Sequence, residues 1–193
     1  MSSSFWIQEG SDFLQQVSQL VQEAMGQLTE DSYSAKNNVK DGLIFQKVKS
    51  FFEQRQWNYQ VIPNQNSLYF TYQANGQKWM VFFVAHEPQK QAVVYSVYPQ
   101  KIPEAQHSNV AEFITGLNYY LLIGNFEMDL GDGELRYRTS LDCKECPVTF
   151  ALLQQVLVTN LNMMTRYFER IQGVIEGRIS PQDAIASQHF ANA

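Results

Sequence analysis

The stretch LIGNFEMDLGDGELRYRTSL, residues 122–141, decides the sheet, because it specifies strand pairing nearly residue by residue. Asp132-Gly133 is the kind of pair that forms a two-residue hairpin turn, in which both central residues need positive φ. A turn of that length sets Gly131 opposite Glu134, Leu130 opposite Leu135, Met128 opposite Tyr137 and Phe126 opposite Thr139. The other face then carries Glu127 against Arg138 and Asp129 against Arg136, cross-strand ion pairs worth roughly 0.2 to 1 kcal/mol each. A three-residue loop would turn Phe126 and Met128 onto the same face as the two arginines, so the shorter turn is expected.

Working outward, Asn75-Gly76 marks a second two-residue hairpin that pairs Tyr72 with Trp79, Phe70 with Val81 and Leu68 with Phe83. Its reverse face carries Tyr69, Thr71, Met80 and Phe82, so both sides of this sheet need cover. Asn58–Ile62 reads as a strand before a turn at Pro63–Asn66, and Ala92–Tyr98 as a strand after the break at Glu87–Lys90.

The helices come from three- and four-residue apolar spacing. Phe13, Leu14, Val17, Leu20, Val21, Ala24, Met25 and Leu28 predict an amphipathic helix from a Ser11 cap, followed by a polar linker over Thr29–Lys40. Ile44, Val48, Phe51 and Phe52 predict a second helix capped by Asn38 or Asp41 and ending near Gln56. A third starts at Pro103 and Glu104 and buries Val110, Phe113, Ile114, Leu117 and Leu121. Pro147 is expected to open the longest helix, about 40 Å at 1.5 Å per residue, ending near Gly173 or Gly177. Ser180, Pro181 and Asp183 begin a last short one. The expected organisation is a helix and linker over 1–40, an α+β domain over 41–178 and a short C-terminal helix and tail over 179–193.

At 193 residues the chain suits one core. A net charge of −5 and the absence of any Lys/Arg-rich run argue against nucleic-acid binding. The longest apolar run, Trp79–Ala85, is too short to span a bilayer, and Met1–Gly10 lacks a basic start, so no membrane association is expected and a cytoplasmic location is. Two cysteines agree with a reducing compartment.

The order helix, meander, helix, hairpin, long helix resembles the YbjN-like family of small bacterial proteins, including cyanobacterial members grouped as a domain of unknown function. The residues that carry the resemblance are Val94-Tyr95-Ser96-Val97-Tyr98-Pro99, Ile102-Pro103-Glu104, Asn118, Ile123-Gly124-Asn125-Phe126-Glu127-Met128-Asp129, Asp132-Gly133-Glu134 and Arg136-Tyr137-Arg138. The likeness spans about Gly42–Gly177. It implies an α+β fold, an antiparallel meander plus hairpin flanked by helices, similar to the type III secretion chaperones. Those chaperones form homodimers and bind extended client segments. The family label adds a sensory or regulatory role, with no catalytic site to carry over.

Individual residues nominate little chemistry. Cys143 and Cys146 before Pro147 form a CxxC, with Cys146 expected at a helix N-terminus where the dipole lowers a thiol pKa. That pair follows an antiparallel hairpin rather than a parallel strand and has no second pair to complete a zinc site, so it is only a weak redox candidate. His86, His107 and His189 have no ligand-spaced partner, and Asp129, Asp132 and Glu134 do not match a calcium loop. No phosphate loop, GxSxG or HExxH occurs, so no cofactor, metal or catalytic residue is expected. The candidate protein-binding or dimer face is Tyr69, Met80 and Phe82 with Phe13, Val17 and Leu20 of the first helix. The expected function is a non-catalytic homodimer that binds a protein partner or client. The alternative is a small-molecule sensor or enzyme with a pocket between the sheet and the first helix. The former presents an exposed apolar patch, the latter an enclosed pocket with convergent polar groups.

Overall fold

The structure, a computed structural model, describes residues 41–186, all within one compact unit. The helix expected over Ser11–Leu28, with Phe13, Val17 and Leu20, lies outside the described residues, as does His189. The element order is α1 (Leu43–Gln54), β1 (Gln60–Val61), β2 (Ser67–Ala74), β3 (Gln77–His86), β4 (Gln91–Val97), a 3₁₀ turn (Glu104–Gln106), α2 (His107–Asn118), β5 (Asn125–Met128), β6 (Leu135–Asp142), α3 (Phe150–Ile175) and α4 (Pro181–Ala186). The six strands form one antiparallel sheet in the order β1-β2-β3-β4-β6-β5. This is an α+β fold with the hairpin β5-β6 added beside β4.

The period-two pattern sends Leu68, Phe70, Trp79, Val81, Phe83, Val94, Phe126, Leu135 and Tyr137 to one face. There they form a single core with Phe45, Val48 and Phe52 of α1, Val110, Phe113 and Leu117 of α2, Leu157, Leu161, Met164 and Phe168 of α3, and Ala184 of α4. Helix α3 is tied to the sheet by polar bonds as well. The buried Asn160 amide donates to the carbonyls of Val94 and Tyr137 at 2.9 and 3.1 Å, and Thr139 Oγ1 donates to the Val156 carbonyl at 3.0 Å.

The β2-β3 hairpin has the expected register, with Asn75 and Gly76 both at positive φ. The β5-β6 register differs by two residues. Met128 faces Leu135, Phe126 faces Tyr137 and Glu127 faces Arg136, so the connection is the four-residue loop Leu130–Gly133. Two aspartates close it through their own backbone: Asp129 Oδ1 accepts from Gly131 N–H at 2.7 Å and Asp132 Oδ1 from Glu134 N–H at 2.9 Å. The segment before α2 grips the loop, with Ile102 N–H donating to the Gly133 carbonyl at 2.8 Å and Lys101 paired to Asp132. A shift of two preserves the side-chain faces, so the apolar and charged sets stay apart as expected. Leu130 leaves the core and is exposed, and Asp129 bonds its own loop instead of facing Arg136.

Several boundaries also move. The first described helix has Gly42 at its N-cap with no side-chain cap. Glu87 takes that role from across the chain, accepting from Phe45 N–H at 2.8 Å, while Asp41 pairs with Lys49. The strand expected over Asn58–Ile62 shortens to Gln60–Val61. Leu121 packs on the core from beyond the end of α2. Helix α3 begins at Phe150, where Thr149 Oγ1 caps Leu152 N–H at 3.2 Å, three residues after Pro147. Ser180 caps α4 by accepting from Asp183 N–H at 3.1 Å.

Candidate functional site

The second face of the sheet is built by the alternate residues of the same strands, and three rows cross it. Cross-strand neighbours run Tyr69, Phe82, Tyr95, Arg138, Asn125 in one row and Thr71, Met80, Val97, Arg136, Glu127 in the next. A third runs Ser67, Val84, Val93, Ser140. The described helices contribute to the core on the first face. Phe82, Val84, Val93 and Tyr95 are buried and stand outside that core, Tyr69 and Met80 are half-buried, and Thr71 is exposed. Tyr69 and Phe82 stack with ring centroids 5.9 Å apart.

The β6-β5 end of the face is charged but internally balanced. Arg136 is held by Glu127 at 2.6 Å and Glu134 at 3.2 Å, its guanidinium 4.6 Å from the Tyr95 ring centre. Arg138 reaches the other oxygen of Glu127 at 3.3 Å. Burial pushes the Glu134 carboxyl up against the pull of Arg136, and burial likewise raises the Tyr95 phenol. The surface thus grades from aromatic and aliphatic at β2-β3 to a paired charge network at β6-β5.

A second apolar surface was not foreseen in the sequence. The loop between α2 and β5 exposes Tyr119 (84%), Tyr120 (46%), Leu122 (98%) and Ile123 (47%). It is firmly braced. Tyr120 and Leu121 N–H donate back to the Leu117 and Asn118 carbonyls at 3.0 and 3.2 Å, and the buried Tyr137 hydroxyl donates to the Ile123 carbonyl. Burial lifts that phenol to about 12, so it stays a donor. Gly124 sits at φ +76 where a Cβ would meet the Arg138 carbonyl. The signal available in the sequence was the uncharged run NYYLLIGN, residues 118–125, in which Tyr119, Tyr120, Leu122 and Ile123 fall outside the helix period that includes Leu121.

Of the residues singled out from sequence, Tyr69, Met80 and Phe82 lie together on the second face. Cys143 and Cys146 do not join them. Cys143 is half-buried and its thiol is raised by burial and by Asp142, while Cys146 is exposed and precedes the Thr149 cap of α3. Cys146 is therefore not in the first turn of that helix, where a dipole acts. Burial lowers His86, and His107 Nε2 contacts the Ile102 carbonyl at 2.9 Å. Among the described residues no group of His, Cys, Asp and Glu is arranged to hold a metal ion, and no helix is long and apolar enough to cross a membrane.

No curated protein matches the sequence. Among solved structures, the chain is similar to one in the ExsC-ExsE complex (TM-score 0.46, 8% identity, 64% of this chain and 91% of that one). It is also similar to one in the HopA1-SchA chaperone-effector complex (TM-score 0.43, 12% identity, 69% of this chain and 94% of that one). The model of the YbjN family, described as "Putative bacterial sensory transduction regulator", matches residues 45–173, which takes in every strand, α2 and nearly all of α1 and α3. The chain belongs to the YbjN family.

Proposed function

We propose that this protein is a non-catalytic interaction protein that acts as a homodimer and receives a segment of a protein partner on the second face of its sheet. The observation that supports this is the row structure of that face. Half-buried Tyr69, Met80 and Val97 and exposed Thr71 lie beside the buried Phe82 and Tyr95 in an apolar band that ends at Arg138 and Arg136. Aromatics, Met and Arg are the residues enriched at the centres of protein interfaces. The partner chemistry that fits is an amphipathic helix, its apolar stripe along the band and its polar flank toward the Glu127–Arg138 pair. The family description supports a regulatory setting for such binding.

The test is a photo-crosslinking residue at the exposed position Thr71 of the full chain, expressed in its native cell, with Val158 on α3 as control. The captured protein is then purified and titrated against wild type and Met80→Lys. Crosslinking from Thr71 alone, and affinity lower by about tenfold or more in Met80→Lys with an unchanged circular dichroism spectrum, is the expected result. A partner that binds the variant as tightly as wild type, or a crosslink from Thr71 only to the protein's own residues 11–28, overturns the reading.

A further inference from the structure

We propose that Asn75 is a site of self-modification, at which the peptide nitrogen of Gly76 attacks the Asn75 side-chain amide and the hairpin tip passes through a cyclic imide to aspartate or isoaspartate. The site lies in the β2-β3 turn alone and is independent of whether the sheet face receives a partner.

Such a reaction needs an asparagine amide free of other bonds, a following peptide nitrogen that is unshielded and unbonded, room to move, and water. The turn supplies each. Asn75 and Gly76 are both exposed. Among the described residues no hydrogen bond holds the Asn75 amide or the Gly76 N–H, because the ladder of the hairpin ends at the pair Ala74 and Gln77 on either side. Glycine has no side chain to screen its nitrogen, and the space where a Cβ would stand at Gly76 is empty to 4 Å. This is the one Asn-Gly step in the chain.

The chemistry closes with water as the sole co-reactant. The Gly76 nitrogen forms a bond to Asn75 Cγ, the bond from Cγ to Nδ2 breaks, and ammonia leaves with the proton that the peptide nitrogen gives up. A five-membered imide remains. Water opens it at one of its two carbonyls, which either restores the normal main chain with an aspartate side chain or leaves isoaspartate, whose main chain runs through Cβ and Cγ. Nothing is oxidised or reduced. Both products add a negative charge to a chain that starts at −5. Isoaspartate also inserts a further main-chain carbon into a turn whose register depends on two residues at positive φ. The pair Ala74 and Gln77 is the first to loosen, and the Gln77 amide is the group that ties the hairpin tip to Glu169 of α3.

The β5-β6 loop is the contrasting case. Gly133 has φ +77 beside +80 for Gly76, but its nitrogen is already engaged, the N–H donating to the Asp129 carbonyl at 2.8 Å. The preceding side chain is held as well, Asp132 Oδ1 by the Glu134 N–H at 2.9 Å and Oδ2 by Lys101 at 2.8 Å. Ring closure at position 132 must first break such bonds, whereas at Asn75 there are none to break.

The experiment incubates the full chain in warm, mildly alkaline buffer and reads conversion at each position by proteolysis and mass spectrometry. Isoaspartate is identified with a carboxyl methyltransferase specific for it and labelled S-adenosylmethionine. Wild type and Asp132→Asn, which sets the same dipeptide in the braced loop, are each followed folded and unfolded in urea, and a thermal melt checks that the variant folds. In the folded chains Asn75 should convert within about tenfold of its rate in urea, and about tenfold or more faster than position 132 of the variant, the factor imposed by breaking two hydrogen bonds beforehand. In urea the two positions should convert alike. Folded Asn75 that converts more slowly than this while the urea sample reacts, or a position 132 that keeps pace with Asn75 in the folded variant, overturns the inference.

Discussion

Asn118 places one side-chain amide where a neighbouring strand would put its peptide group, satisfying both outward bonds of Phe126. Removing it leaves a donor and an acceptor that water must reach at a half-covered edge. Asn118→Ala is expected to cost about 1–3 kcal/mol in a urea melt, with Asn118→Asp intermediate because it retains the acceptor. Equal melts for all three proteins would show the clamp to be incidental. Asp132 illustrates a titrating residue at the same scale. Burial alone would raise its carboxyl, but the Lys101 ammonium and the Glu134 N–H outweigh burial and hold it below its ordinary 3.8. The unfolded chain therefore binds the proton more readily, and the stability this group contributes is present above that value and lost as pH falls through the folded one. Since the pair is partly exposed, Asp132→Asn should lower stability at pH 7 by less than about 1 kcal/mol. The gap to wild type should close on acidification below the ordinary value. A gap that widens instead contradicts the sign.

At the scale of elements, two glycines with nearly the same φ stand in different surroundings. Gly76 at +80 has open space where a Cβ would go, whereas at Gly133, φ +77, a Cβ would meet the Ile102 carbonyl. Gly76→Ala should cost about 1 kcal/mol, the left-handed penalty alone, and Gly133→Ala clearly more, as strain and displacement of the 101–102 segment add. Similar melting temperatures for the two would refute the tertiary grip on the β5-β6 loop. Thr149→Ala should cost about 1 kcal/mol while Pro147→Ala changes little, since the helix starts after the threonine. These comparisons mark where elements were legible in the sequence. Asn75-Gly76 specified its register because a two-residue turn with both residues at positive φ leaves one pairing, and Gly76 has open space around it. Asp132-Gly133 looked equivalent, but side chains of Asp129 and Asp132 and a grip from Ile102 selected a longer loop. The cap of α1 was invisible for the same reason: Glu87 is 42 residues from the Phe45 amide it holds.

For the whole molecule, Asn160 is the joint between layers. Its buried amide bonds strands β4 and β6 from α3, so Asn160→Ala should cost about 2–4 kcal/mol through lost bonds and a cavity. A change below 1 kcal/mol would mean that apolar packing alone seats the helix. By itself the sequence determined which residues turn inward and that the sheet has two apolar-rich faces, because strand and helix periods are local properties of the chain. It also placed Tyr69, Met80 and Phe82 on one surface, since a hairpin with a two-residue turn leaves no freedom of register. Only the tertiary structure decided the rest. The β5-β6 register, the Glu87 cap, the Asn118 clamp and the outward set of Tyr119 and Leu122 depend on which distant groups meet. Apolar periodicity records that a side chain prefers burial, but the number of places in the core is set by the packed whole.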